Sequence, residues 1–445
     1  MVSVPVGEVP EAVARIARPI HGEDELDQLL DLVSQAGVVL LGEATHGTHE
    51  FYEMRAQLTR KLIADRGFSA VAIEGDWPEA LRVDRYVRQQ GDDEAAEEAL
   101  AGFERFPVWM WRNLEVAEFV EWLYRHNADR DPTERAGFYG LDLYSLHSSM
   151  QAVLSYLDDT DPGLARRARQ RYACFDQLDP QQYGMKAHFG ILDDCEDEVI
   201  EQLVEMQRRR SARSGRAPSG DAWFHAFQNA RVVKDAEAYY RTMFAGRTAS
   251  WNLRDTHMAD TVELLRHQLA TSKGPAKLVV WAHNSHVGDA RATEIGDDGQ
   301  ITLGQLLRMR HPDGVALVGF TTHDGTVECA TDWDEPGIHE RVRPSLPGSW
   351  EELFHDTGVA QFFVTALALA RNVGEHANRL HRAIGVVYRP ESERRSHYYH
   401  ARLAEQYDVI VHVDNTRAVT PLEKHDSGLT AAETHELPVT FPSGV

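Results

Sequence analysis

The sequence has little cysteine and no long apolar run. Its 445 residues include three cysteines, none in a C-x-x-C pair, at Cys174, Cys195 and Cys329. So few cysteines cannot build a disulfide framework, and the sequence predicts reduced, partly buried thiols in a cytoplasmic protein. No apolar run approaches the roughly 18 residues that a membrane span needs, and the N-terminus lacks the features of a secretory signal peptide.

Basic residues are also scarce. The chain has 46 Lys and Arg against 70 Asp and Glu, which gives a formal net charge of −24. So strong an excess repels nucleic-acid phosphates and anionic lipid heads, and it excludes general binding to either. The partner that we expect is a small-molecule substrate, while the oligomeric state does not follow from the sequence.

Several familiar catalytic motifs are missing. The chain contains no G-x-S-x-G nucleophile elbow, no H-E-x-x-H zinc helix, no G-x-x-x-x-G-K-[ST] phosphate loop and no G-x-G-x-x-G fingerprint. A serine hydrolase with an acyl-enzyme intermediate and a dinucleotide-dependent enzyme are therefore not favoured.

What the chain does contain is short apolar runs that alternate with amphipathic stretches. Runs that are apolar throughout are typical of strands covered on both faces. The sequence predicts an α/β fold with a mostly parallel central sheet flanked by helices. The predicted strands are GVVLLGE (37–43), SAVAIEGDW (69–77), AGFYGLD (136–142), KLVVWAH (277–283), VALVGF (315–320), AIGVVYR (383–389) and DVIVHVD (408–414).

The middle of the chain lacks strand signals. We predict an α/β core over 1–145 and 276–422, and a helical insertion over 146–275 that covers the active-site edge as a lid. We also predict a disordered tail over 423–445, and a hinge at the break SARSGRAPSG (211–220). The insertion's aromatic residues either line an apolar cleft or pack as core, and their helical spacing favours the core: Trp223, Phe224, Phe227, Tyr239, Tyr240 and Phe244.

Polar clusters directly follow three of the predicted strands. Glu43 and His46 lie between two glycines after the first strand, Glu74 ends the second, and His283 and His286 follow the fourth. Because ligands bind beyond the carboxyl ends of parallel strands, we expect these side chains to share a site. Taken singly, each has an alternative role, as a helix cap, a surface ion pair or a structural histidine.

Arg55 adds a positive charge near the first cluster. It lies two turns into the helix predicted after Thr48, and helical side chains lean toward the helix N-terminus. Its guanidinium group is therefore predicted to bind Glu43, Glu74 or an anionic intermediate, unless it is a surface residue.

The order of these motifs resembles the erythromycin esterase family. The resemblance runs from about residue 35 to 420, and the similar segments are GEATHG, AIEGDW, FPVWMWRN, GFYGLDLYS, WNLRDTHMA, WAHNSHV and IGVVYRPESERRSHYYHARL. The resemblance implies an α/β sheet with a helical portion over the cleft. It places Glu43, His46, Arg55, Glu74, His283 and His286 at the family's site positions. The family includes macrolide-hydrolysing enzymes and many homologues of unknown substrate, and the last segment is typical of those homologues.

The predicted activity is hydrolysis of an ester, such as a macrolide lactone, without a covalent intermediate. His46 would activate water, with Glu43 or Glu74 to orient it. Arg55 and either His283 or His286 would stabilise the oxyanion or protonate the leaving group.

Two other hypotheses about the function stay open at this point. No cofactor is expected, but a divalent metal held by Glu43, His46, Glu74, His283 and His286 would make a metal-dependent hydrolase. The second alternative hypothesis is a non-enzymatic protein that binds a small ligand or haem.

Overall fold

A nine-stranded sheet forms the centre of the protein, and β9 pairs with β10 in a separate two-stranded sheet. The computed structural model describes residues 9–175, 179–212, 220–272 and 274–423. The strands are β1 Arg18–Pro19, β2 Val38–Leu41, β3 Ala70–Asp76, β4 Gly137–Asp142, β5 Leu278–Trp281, β6 Val315–Cys329, β7 Ile338–Val342, β8 Gln361–Thr365, β9 Arg379–Arg382, β10 Tyr398–Ala401 and β11 Val409–Thr416.

The strand order in the sheet is β1-β8-β11-β6-β2-β5-β3-β4, with β7 paired to the extended end of β6. From β11 to β4 every neighbouring pair is parallel. The antiparallel pairs lie at one side, where β8 joins β11 and β1, and at β7. The prediction of a mostly parallel sheet is confirmed.

Helices cover the sheet on both faces. They are α1 Val9–Ile16, α2 Glu23–Val33, α3 His49–Arg66, α4 Trp77–Val87, α5 Ala96–Leu100, α6 Leu114–Asn127, α7 Leu146–Thr160, α8 Pro162–Tyr172, α9 Pro180–His188, α10 Glu196–Ala212, α11 Gly220–Thr242, α12 Arg247–Gln268, α13 Asn284–Val287, α14 Glu294–Asp297, α15 Leu303–Arg310, α16 Trp350–His355, α17 Ala366–Val373, α18 Glu393–Ser396 and α19 Leu403–Gln406. No helix in the described ranges is both long and apolar enough to cross a membrane.

The apolar strands bury side chains on both faces because successive residues of a strand point in opposite directions. In β2, Val39 and Leu41 join a core cluster that includes residues of α3 and α6. Val38 and Leu40 join a second cluster, with residues of α12, α15 and α16. The central sheet is thereby fixed between two helical layers, and its strand ends are held at defined positions.

Between α7 and α12 the described residues contain helices and no strand. Helices α7 to α11 build a third apolar cluster, in which Tyr239 and Tyr240 are buried. Phe224 packs edge-on against Trp77 of α4. These aromatic residues form core contacts, as their spacing favoured, although Phe244 is exposed. The division of the chain into core and insertion stays a prediction. Residues 213–219 of the predicted hinge lie outside the described ranges, and so does the predicted tail after residue 423.

Two expectations were wrong. Cys174 and Cys195 are joined in a disulfide, while Cys329 is a buried free thiol. A spacing of 21 residues gave no sign of the pair, because the short helical turn that carries Cys174 meets the start of α10 only in the folded protein.

The segment AIGVVYR (383–389) is the second wrong expectation, because it forms no strand of the sheet. Ile384 and Val387 make only isolated bridges, to Thr45 and Ala330. The Ile384 amide donates to the Ala44 carbonyl at 2.8 Å, so the segment crosses the carboxyl ends of the strands instead of joining them. Its apolar residues are buried because they close this edge of the sheet.

Candidate active site

The turn from β2 to α3 carries the first cluster, and its two glycines are required by close packing. A Cβ atom on Gly47 would collide with the backbone carbonyl of Glu328, and one on Gly42 would collide with the side-chain oxygen of Asn284. The turn is also fixed by a side-chain hydrogen bond between Thr45 and Thr48. These contacts hold Glu43 and His46 in place beside the neighbouring strand ends.

Glu43 joins His46 to Arg55. Its Oε1 accepts a hydrogen bond from His46 Nδ1 at 2.8 Å, and its Oε2 lies 2.7 Å from Arg55 Nη2. Glu43 and Arg55 are fully buried, whereas His46 remains 7% exposed. Arg55 therefore holds Glu43, one of the partners predicted for it, and it lies behind the histidine. The carboxylate keeps the Nδ1 proton on His46 and leaves Nε2 as the basic nitrogen.

Glu74 lies where β3 changes register against β4, between Ile73 and Asp76. Its Oε2 accepts from the His283 amide at 2.8 Å, and its Oε1 accepts from Arg254 Nη2 at 2.8 Å. Burial raises the pKa of Glu74, but the positive charges of His286 and Arg254 outweigh it and hold the pKa well below its usual range. The side chain is therefore a carboxylate at neutral pH.

His283 has both ring nitrogens engaged. Nδ1 accepts from the Ser285 amide at 3.3 Å and lies 2.8 Å from the Ser285 hydroxyl, while Nε2 donates to the Ile384 carbonyl at 3.1 Å. Burial lowers the pKa of His283 well below its usual range, and His46 lowers it further. The neutral ring packs against His46, with ring centroids 4.7 Å apart. His283 is thus placed to support His46, without a free nitrogen of its own.

His286 lies between two carboxylates. Nδ1 contacts Asp255 at 2.9 Å, and Nε2 lies 3.3 Å from Glu74 Oε1 and 3.0 Å from Arg254 Nη1. Burial lowers the pKa of His286, but Asp255 and Glu74 outweigh it and raise the pKa to about 9. The two carboxylates thus favour the imidazolium form of the ring, while Arg254 Nη1, the hydrogen-bond neighbour of Nε2, opposes it.

Arg254 links most of these groups, and sequence reasoning gave it no role. Its Nη2 donates to Glu74 at 2.8 Å and to Asp142 at 2.6 Å, and its Nε donates to Asp142 at 2.9 Å. Asp142 ends β4, and Glu74 likewise follows the apolar run of β3, so the position of Asp142 was a usable signal. Arg254 and Asp255 come from α12, within the motif WNLRDTHMA, and only the resemblance pointed to that segment.

A cleft opens above these strand ends, with about 580 Å³ of space that includes part of the open solvent. Of the six predicted residues, His46 and Glu74 line it, and Glu43, Arg55, His283 and His286 lie behind them. The structure therefore joins all six in one buried network but brings two to the cleft surface. The other lining residues are Gly75, Asp76, Glu79, Phe103, Arg105, Phe106, Pro107, Met110, Trp111, Asp142, Tyr144, Arg254, Trp333 and Val386.

Two further carboxyl groups give the cleft an acidic wall. Asp76 precedes α4 and accepts from Arg105 at 2.8 Å and from the Tyr144 amide at 3.1 Å. Burial, with the nearby charge of Asp76, raises the pKa of Glu79 to about 8, so Glu79 is largely neutral at pH 7. Arg105 lies over the ring of Tyr144 at 4.7 Å. The cleft thus combines carboxyl groups, two guanidinium groups and aromatic faces.

The structure does not favour the proposed metal ligands. Among the described residues no group of three or more His, Cys, Asp or Glu side chains is arranged to hold a metal ion. The guanidinium group of Arg254 occupies the space between Glu74, Asp142 and His286, and it already balances their charge.

A parallel sheet with a histidine and several carboxylates at its carboxyl edge defines the class of protein, an α/β enzyme with its cleft at the strand ends. The sequence profile of the erythromycin esterase family matches residues 63–416. The chain therefore belongs to the erythromycin esterase family, whose members are hydrolases that cleave esters. The matched range begins after Glu43, His46 and Arg55.

Individual relatives are distant but cover most of the chain. The sequence is 24% identical over 378 residues to erythromycin esterase type II of Escherichia coli, which covers 79% of this chain and 85% of the relative. It is 20% identical to the putative hydrolase YbfO of Bacillus subtilis strain 168, across 92% of this chain and 90% of the relative.

Solved structures share the fold. A Bacillus cereus protein superposes with a TM-score of 0.75 at 18% identity, over 94% of this chain and 100% of its own. A protein described as a succinoglycan biosynthesis protein superposes with a TM-score of 0.73 at 19% identity, over 93% of this chain and 98% of its own. A mutant of the erythromycin esterase EreC in its open conformation superposes with a TM-score of 0.67 at 16% identity, over 90% of this chain and 97% of its own.

Proposed function

We propose that the protein hydrolyses a carboxylic ester with a water molecule activated by His46. The observation that carries this proposal is the state of His46 Nε2. Among the ring nitrogens of His46, His283 and His286, it is the one without a hydrogen bond to any described residue. His46 also lines the cleft, whereas the other two histidines do not. It is thus the histidine positioned to take a proton from bound water.

The reaction proceeds by direct attack. His46 Nε2 removes a proton from water as the water oxygen attacks the carbonyl carbon. The bond to the alcohol oxygen then breaks, and the protonated His46 returns its proton to the departing alkoxide. Glu43, itself held by Arg55, keeps the imidazole oriented and stabilises its charged form at that stage.

Negative charge that develops on the carbonyl oxygen is stabilised by a cation or a hydrogen-bond donor in the cleft. Arg55 cannot supply this group because it is fully buried behind Glu43. Arg105 lines the cleft, and we assign oxyanion stabilisation to its guanidinium group, since Arg254 also lines the cleft but already binds Glu74 and Asp142. His283 and His286 act as positioning residues: His283 packs on His46, and His286 holds Glu74 against Arg254.

The relatives favour a macrolide lactone as the first substrate to test. A cleft with aromatic faces and acidic groups also suits other esters that combine an apolar body with polar substituents. The cytoplasmic location predicted from the sequence remains part of this proposal.

The decisive experiment measures ester hydrolysis by the purified protein and by His46→Ala. A panel of macrolides and simple esters identifies a substrate by mass spectrometry. We expect His46→Ala to lower turnover on it by about 10²–10⁴-fold, the usual contribution of a positioned base. The matched control is His126→Ala on α6, which does not line the cleft. Wild-type turnover in folded His46→Ala would refute the role of the base.

The same preparations separate the two alternatives. A metal-dependent hydrolase would lose its activity after treatment with a chelator and recover it with added metal. A haem-binding protein would be isolated with visible absorbance. We expect no dependence on metal, because Arg254 already occupies the space among the carboxylates.

A further inference from the structure

A second groove lies between α10, α11 and α12. It encloses about 1060 Å³ of space that includes open solvent, and its lining includes Val199, Leu203, Arg231, Asp235, Leu253 and His257. None of its lining residues lines the catalytic cleft, although α12 contributes to both. The groove is therefore a separate cavity.

His257 presents one nitrogen to this groove. The residue is 3% exposed, and its Nδ1 contacts Asp235 Oδ2 at 2.7 Å. Lys234 Nζ binds the other oxygen of Asp235 at 2.7 Å. His257 Nε2 makes no hydrogen bond to any residue in the described ranges. Asp235 holds the proton at Nδ1, so a carboxylate that binds at Nε2 does so together with a second proton on the ring, and Nε2 then donates to the ligand.

Arg231 lies one helical turn before Asp235 on α11 and offers a cation to the same groove. Its Nη1 donates to two neutral partners, Gln228 Oε1 at 2.6 Å and Thr261 Oγ1 at 3.4 Å. No carboxylate within the described part of the chain forms an ion pair with it. Burial lowers the pKa of Arg231, and Asp235 and Asp260 only partly oppose that effect. A partly buried cation without an ion pair is a good binding group for an anion.

The groove's other acidic groups are partly neutralised, with two arginines for three carboxylates. Arg241 binds Glu196 at 3.1 Å and Glu237 at 2.8 Å. Arg310 binds Asp260 at 2.7 Å. These pairs reduce the repulsion that an incoming anion would meet, despite the acidic character of the whole chain.

Part of the groove wall is apolar. Val199 and Leu203 lie one turn apart on α10, and Leu253 lies one turn before His257 on α12. These side chains suit a hydrocarbon body, but they supply no partner for a second charge. The ligand that matches the groove therefore has one anionic end and one apolar end.

We propose that the groove between α10, α11 and α12 is a second ligand site for a small organic carboxylate. The carboxylate binds the Arg231 guanidinium group and His257 Nε2. The apolar part packs on Val199, Leu203 and Leu253. The site does not depend on the proposed esterase activity.

The test uses phenylacetate as the probe and phenylacetamide as its uncharged match. Binding to the full chain is followed by saturation-transfer NMR and by calorimetry. We expect phenylacetate to bind and phenylacetamide to bind at least tenfold more weakly. Arg231→Met and His257→Gln should each weaken phenylacetate binding by about ten- to a hundredfold, the range for a charge-assisted hydrogen bond. Leu253→Trp, which fills the groove, should also block binding.

Two controls separate this site from the catalytic cleft. Arg105→Met removes a cation from the cleft, and Arg125→Met removes an exposed one from α6. Both should bind phenylacetate as the wild type does, with folding checked by circular dichroism. Unchanged binding by folded Arg231→Met, equal binding of the amide, or loss of binding in Arg105→Met would each overturn the proposal. None of these outcomes bears on His46.

Discussion

At the residue scale, the pairing of Arg55 with Glu43 is the contact on which the orientation of His46 depends. Both side chains are fully buried, and each is the other's counter-charge. Arg55→Met leaves an uncompensated carboxylate in the interior, so we expect the free energy of unfolding to fall by about 3–5 kcal/mol. Urea denaturation measures it. The matched control is Arg66→Met on the same helix, whose exposed pair with Asp31 should contribute less than about 1 kcal/mol. Equal losses in the two variants would contradict the buried-pair interpretation.

His286 makes the stability depend on pH in a defined direction. Its pKa is about 9 in the folded protein, against an ordinary 6.5, because Asp255 and Glu74 favour the imidazolium. A raised pKa stabilises the fold fully below pH 6.5, and this stabilisation is lost as the pH rises through 9. The shift corresponds to about 3 kcal/mol.

Asp255→Asn isolates this effect. The substitution removes the carboxylate that contributes most to the raised pKa, so stability should fall less between pH 6.5 and 9 than in the wild type. Denaturation curves at the two pH values check it. Glu79, which has a pKa of about 8, affects both proteins equally and cancels in the comparison. The same pH dependence in both proteins would show that His286 is not the group responsible.

At the element scale, the strand ends were the part of the site that the sequence could predict. Buried parallel strands such as β2, β3 and β5 are apolar throughout, and a polar residue directly after such a run stands out. Glu43, Glu74 and His283 were found in this way. The same rule misassigned AIGVVYR, since a segment that closes the edge of the sheet is as apolar as a strand.

The groups that were missed come from a helix. Arg254 and Asp255 belong to α12, which also packs on the sheet through Met258 and Val262. In sequence they are charged residues of an ordinary helix, and nothing local shows that they face Glu74 and His286. Their role depends on the packing of α12 over the strand ends, a long-range property that local patterns do not contain.

The turn after β2 gives a prediction about backbone packing. A side chain at Gly47 would collide with the Glu328 carbonyl, and the turn cannot move away because the Gly47 carbonyl accepts from the amides of Glu328 and Val419, each at 3.0 Å. We expect Gly47→Ala to lower the free energy of unfolding by about 1–3 kcal/mol and to lower turnover, since His46 is adjacent. Gly22→Ala is the control, because no atom lies within 4 Å of its added Cβ. Equal stability of the two variants, by thermal denaturation, would argue against a rigid turn.

At the scale of the whole molecule, one helix connects the two cavities. Helix α12 places Arg254 in the catalytic cleft and His257 in the second groove, one turn apart. The helices between residues 146 and 268 are therefore more than a cover, because α12 supplies charged groups to the site itself. The predicted boundary between insertion and core at residue 275 assigns Arg254 to the insertion, although the carboxylates that it binds, Glu74 and Asp142, belong to the core.

Net charge governs the behaviour of the molecule in solution. The formal charge is −24 at pH 7, and the isoelectric point is about 5.3, where protonation of the 22 histidines offsets most of the acidic excess. Self-repulsion keeps molecules apart at pH 7 and vanishes near the isoelectric point. We therefore expect a solubility minimum near pH 5.3 and no binding to duplex DNA at neutral pH and low salt. Light scattering at fixed ionic strength and a gel-shift assay check the two expectations. Solubility that rises steadily toward pH 5, or salt-sensitive DNA binding, would mean that a local basic surface outweighs the charge of the whole.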